Sequence, residues 1–150
     1  MPSPQEFNFE DLARQIAVAR SEEIGRSPEA AAQICIEIII PAVTSTRERQ
    51  DPRLTVSAVC RGVMGGLFMK EKDFAPPCVE ILKAMAALSH KIQIDPADMM
   101  TWAMEGLAAI AILAPLETRS QIQSAIDENF MGAGAVFNEL CEKAKQALKP

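Results

Sequence analysis

Three places in the chain are punctuated in the same way: Ser27-Pro28, Asp51-Pro52 and Asp95-Pro96. Each sets a short side-chain acceptor before a proline. That is the chemistry of a helix start, because the acceptor can take a free amide and the missing N–H of a proline at N1 costs nothing. A chain cut into helices at these points has little room left for strands. Tyr is absent, and no alternating run is bounded by Asn-Gly or Asp-Gly. The spacing therefore predicts an all-α protein.

Further starts fill in the plan. Asn8 precedes Phe9-Glu10-Asp11-Leu12, so it can cap a first helix with acids in the first turn, and Phe7 can staple onto Leu12. Gly25 is expected to close that helix. Asp73 before Pro76-Pro77 opens a fourth helix, with Cys78, Ile81, Met85, Leu88 and Ile92 along one side. After Pro115, one apolar face carries Ile122, Ile126, Phe130, Ala133, Phe137, Leu140, Ala144 and Leu148. Gly132 and Gly134 can bend or split that last segment. The reading is a compact bundle of six or seven helices in a single domain, 1–150, with residues 1–7 a flexible N-terminal segment. An alternative is a short α-solenoid of αα-hairpins: Asp51 and Asp95 stand 44 residues apart, and Gly62 then aligns with Gly106.

Composition narrows the function classes. The 150 residues are 49% hydrophobic, too apolar for a disordered chain. The net charge of −5 argues against a surface built to neutralise phosphates. Arg47, Arg49, Arg53 and Arg61 form only a local basic cluster, and nucleic acid is not expected as a partner. The start Met1-Pro2-Ser3-Pro4-Gln5-Glu6 has no basic and apolar leader pattern. Cys35, Cys60, Cys78 and Cys141 stand far apart among apolar neighbours, as buried reduced thiols would. The expected compartment is the cytoplasm. The apolar run from Met99 to Leu116 carries Thr101 and Glu105, and Ile34–Val43 is short and holds Glu37, so both are expected to be core helices rather than membrane spans.

Signatures of chemistry are missing. His90 is the single histidine and has Ala87 three residues before it, so a Glu-x-x-His carboxylate metal motif is absent. No clustered Cys and His suggest zinc. A Cys78–His90 or Cys60–His90 dyad has no local support. No metal, no cofactor and no catalytic residue is expected.

Two features remain. Arg61-Gly62-Val63-Met64-Gly65-Gly66 lies inside a helical pattern, where each glycine costs up to about 1 kcal/mol against Ala. Close helix approach offsets that cost, with Ala58, Gly62 and Gly65 as a flat ridge. Glu37, Arg61 and Glu105 sit in apolar surroundings. They either mark the solvated strip of each helix or meet as a buried carboxylate–guanidinium cluster that could hold a ligand. The methionines Met64, Met69, Met85, Met99, Met100, Met104 and Met131 are expected mostly in the core, with Trp102 as an anchor.

The second and fifth helices are apolar on nearly every side. A chain of this length has little protein to surround both, so a second copy is expected to cover part of them. These features point to a non-catalytic interaction protein that uses an apolar helix surface and self-associates, a homodimer being favoured, with another protein as a possible partner. The alternative is a bundle binding a small apolar or anionic ligand between helices two, three and five.

Overall fold

The computed structural model describes residues 8–45, 50–70 and 73–148. Among them are eight helices and no strand: α1 Phe9–Ala19, α2 Ser21–Arg26, α3 Glu29–Thr44, α4 Pro52–Met69, α5 Ala75–Lys91, α6 Pro96–Ala111, α7 Leu116–Asn129 and α8 Ala133–Leu148. The protein is all-α. Two breaks take six segments to eight helices, the second of them the split expected near Gly132 and Gly134. The first helix is interrupted at Arg20 (φ −105°, ψ 18°) and resumes as α2, which runs through Gly25 instead of ending there. The last segment divides at Phe130–Gly132.

The caps follow from local chemistry. Asn8 accepts the Asp11 amide at 2.9 Å. Asp51 accepts the amides of Arg53 and Leu54 at 2.9 and 3.4 Å, and Asp95 accepts that of Ala97 at 2.8 Å. Ser27 differs: its hydroxyl donates to Glu29 at 2.8 Å, and the α3 amides of Ala30 and Ala31 bond instead to the backbone carbonyls of Ser27 and Pro28. The Phe7 staple, the flexible segment 1–7, and Arg47 and Arg49 of the basic cluster lie outside the described residues.

Packing does not follow sequence order. α4 lies chiefly against α1 and α6, while α3 and α5 pack against each other. Gly62 meets Glu10 and Ala13, and Gly66 meets Arg14, Ala17 and Val18, so α1 and α4 run in the same direction. Gly106 meets Ser57 and Arg61, while Gly65 lies against Ile110, so α4 and α6 also run parallel. An up-down bundle would pack each helix chiefly against its neighbours in sequence, whereas α4 packs chiefly against α1 and α6. Here the order is that of stacked αα units, with α1, α4 and α6 in one row and α3 and α5 returning behind it. The α7–α8 hairpin then packs on α5 and α6.

One apolar core runs through all of this. α3 buries Ile34, Cys35, Ile38, Ile39 and Val43, leaving Glu29, Gln33 and Glu37 as its solvent row. α6 buries Met99, Ala103, Met104, Leu107, Ala108 and Ala111 between α4, α5 and α8. Both of the nearly all-apolar helices are therefore covered within one chain, so neither by itself calls for a second copy. Met64, Met85, Met99 and Met104 are buried, but Met69 and Met131 stand in solvent. No helix of the described residues is long and apolar enough to cross a membrane.

Candidate interaction surface

The row of α1, α4 and α6 is held together by small residues. A Cβ on Gly62 would overlap the Glu10 carbonyl oxygen and come within 2.8 Å of the Ala13 Cβ. A Cβ on Gly66 would stand 2.8 Å from that of Ala17. On the other side of α4, a Cβ on Gly106 would overlap the Ser57 carbonyl oxygen. The correspondence between Gly62 and Gly106, 44 residues apart, is thus physical: each lets one row helix cross the backbone of the preceding one. The close ridge on α4 is Gly62 with Gly66. Gly65 instead has the Ile110 Cδ1 at 3.7 Å and the Arg14 Cδ at 3.9 Å from a built Cβ, ordinary contact distances. Ala58 is half-buried.

With α4 gripped on both flanks, its remaining side faces outward. Leu54, Ala58, Arg61, Gly65, Phe68 and Met69 recur at helical spacing, and each is at least partly exposed. Leu54 is 69% and Met69 63% exposed, large values for apolar side chains in mid-domain. The Phe68 ring stacks on Phe74 with centroids 6.0 Å apart. On α6 the corresponding positions carry Trp102, Glu105 and Ala109, and Leu113, in the turn just after α6, is 53% exposed. The outer side of the row is thus an apolar strip with a shallow saddle at Gly65.

The charges on this side are matched pair by pair. Arg61 Nε donates to Glu10 at 2.8 Å, Arg53 donates to Glu105 at 3.2 Å, and Arg14 pairs with Asp11. Arg61 and Glu105 share this surface on adjacent helices but bond to different partners. Glu37 is elsewhere, on α3, 3.7 Å from Arg20. The three charges singled out in the sequence do not meet in one cluster. Each belongs to its own half-exposed inter-helix pair.

The buried charge is one the sequence did not flag. Arg119 of α7 is 8% exposed and donates to Glu142 at 2.7 Å and Asn138 at 3.1 Å, both on α8. No buried side-chain polar atom among the described residues lacks a partner.

All four cysteines are free and buried. Cys60 is pushed well above the ordinary thiol range, first by a hydrogen bond with Cys35 and then by burial. Burial likewise raises Cys78, whose Sγ lies 3.7 Å from the Met64 sulfur, and Cys141. Such thiols stay protonated and are poor nucleophiles. His90 is exposed in the last turn of α5, and Cys78 is in the first turn of the same helix, about 18 Å away at 1.5 Å per residue. No group of three or more metal-ligating side chains occurs among the described residues.

Comparison with known proteins returns no match: no family model fits the chain, no curated protein matches it, and no solved structure matches it.

Proposed function

We propose that the protein is a non-catalytic, cytoplasmic interaction module that self-associates through the outer strip of α4 and α6. The supporting observation is the strip itself: Leu54, Phe68, Met69 and Leu113 expose apolar surface between ion pairs that cancel locally. A second copy is the occupant this charge pattern favours. The chain as a whole carries −5, so most of its faces repel their own copies, whereas a surface of neutral pairs does not. A small apolar or anionic ligand held by Glu37, Arg61 and Glu105 has less support, since Glu37 stands on a different layer from the other two.

Native mass spectrometry and light scattering test this reading. The wild-type protein is expected at a multiple of 16.3 kDa, and the double variant Met69→Asp with Leu113→Asp at a smaller multiple. A wild-type monomer at all soluble concentrations, or a variant that assembles unchanged, overturns the strip. A small non-protein mass carried by the wild type turns attention to the ligand reading.

A further inference from the structure

The stretch from Leu116 to Leu148 is folded back on itself, yet its apolar stripe is that of one continuous helix. Ile122, Ile126, Phe130, Ala133, Phe137, Leu140, Ala144 and Leu148, at about 100° per residue, fall within an arc of roughly 80°. Arg119 lies in the same arc. The stripe keeps its phase through the break, and no proline stands between Leu116 and Leu148. The chain leaves helical geometry at Phe130 (φ −138°, ψ 89°) and passes through the left-handed region at Gly132 (φ +86°). The Asp127 carboxylate holds the turn by accepting the amides of Gly132 and Gly134, each at 3.2 Å.

α8 is also attached in a way that another copy can reproduce. Its fully buried side chains are Phe137 and Cys141. Its polar anchor is Arg119, whose partners Asn138 and Glu142 both belong to α8. These contacts all run between α8 and elements that precede the turn. They remain available if α8 comes from a different molecule.

We propose that the α7–α8 turn is a hinge that opens into a continuous helix, and that two copies exchange α8. Each α8 then seats on the α6 and α7 of the other copy, and Arg119 pairs with Glu142 of the partner subunit. A short turn whose opening restores one unbroken amphipathic helix is the arrangement that favours such exchange. The exchange does not use the outer strip of α4 and α6, so it stands or falls apart from that reading.

Two experiments test it. Gly132→Ala strains the closed turn, since Ala disfavours the left-handed region, and improves the open helix. Measured by light scattering across a dilution series, its dimerisation constant is expected to rise about tenfold or more over wild type. A constant equal to that of the wild type overturns the hinge. The second experiment uses Arg119→Glu and Glu142→Arg, each of which places like charges in its own closed junction. Unfolded together and refolded, the two are expected to form a one-to-one heterodimer in which both exchanged junctions carry opposite charges. The absence of that heterodimer overturns the exchange, whether the single variants fold or not. Met69→Asp with Leu113→Asp is expected to leave the heterodimer intact, which separates exchange from association through the strip.

Discussion

The α1–α4–α6 row and the α7–α8 hairpin solve the same packing problem by opposite means. In the row, glycines and alanines let backbones touch, and the charges stay half-exposed at the rim. In the hairpin, no glycine meets a neighbouring backbone, and a guanidinium is buried between the helices. Close backbone contact gives many weak contacts that cannot be rearranged piecemeal. A buried guanidinium makes a few directional contacts, and losing one leaves a desolvated charge short of a partner. The row should accordingly be intolerant of added atoms, and the hairpin intolerant of a lost partner.

Adding bulk to the row is the largest expected effect. Gly62→Leu places a side chain where the Glu10 carbonyl and Ala13 already stand, and nothing there is flexible enough to give. A loss of about 3 kcal/mol or more is expected, at the upper end of overpacking costs. Gly65→Ala, three residues along the same helix, meets only ordinary contacts and gains helix propensity, so it should be neutral or stabilising by up to about 1 kcal/mol. Thermal melts of the pair check the sign as well as the size. Equal effects would remove the distinction between the crossing at Gly62 and the saddle at Gly65.

How much of this was legible in the sequence depends on the range of the interaction. Asn8, Asp51 and Asp95 act within three residues of themselves, and their caps could be read directly. The 44-residue spacing was visible too, but its meaning lay in which helix each glycine crosses. Gly65-Gly66 shows the limit: the two residues are adjacent, and only the direction of the α1 neighbour selects the second. Whether Glu37, Arg61 and Glu105 stand on separate solvated strips or meet was open in the sequence for the same reason, and they stand apart because α3 lies in the layer behind α4 and α6. The covering of α3 and α6 by their own chain was hidden by a count of residues that ignored layering. Arg119 carried a usable signal that went unread: a charge in phase with Ile122, Ile126 and Phe137 inside an apolar stripe.

Removing a partner from the hairpin comes next in size. Glu142→Ala leaves the Arg119 guanidinium buried with Asn138 as its remaining partner in that pair of bonds, and should cost about 1–3 kcal/mol. Arg119→Met removes the buried charge while filling similar space, and should cost less, because Glu142 is half-exposed and water can solvate it. Denaturant titrations of both variants check the order. A larger loss for Arg119→Met would mean that packing of the long side chain, not its charge, holds α8.

The thiols behind the row give a pH test of intermediate size. Folding raises Cys60 and Cys78, so the protonated thiol is the form the fold prefers. Free thiols ionise near about 8.5, so their contribution is complete below that pH and declines as pH rises above it. The melting temperature is expected to fall between about pH 8 and pH 10, and less so in a Cys60→Ala, Cys78→Ala variant. Identical slopes would place the alkaline sensitivity elsewhere.

The smallest effect returns to the rim of the row. Arg61 looks prominent in the sequence, set between Cys60 and Gly62, and its 2.8 Å bond to Glu10 ties α4 to α1. Both side chains keep about a third of their surface in water, where the ions are solvated with or without each other. The glycines beside Arg61 already fix the crossing, so the pair has little geometry left to impose. Arg61→Ala should therefore change stability by less than about 1 kcal/mol, with the change shrinking further in high salt. A loss of several kcal/mol would mean that the rim pairs, and not the backbone crossings at Gly62 and Gly66, set how α1 and α4 fit together.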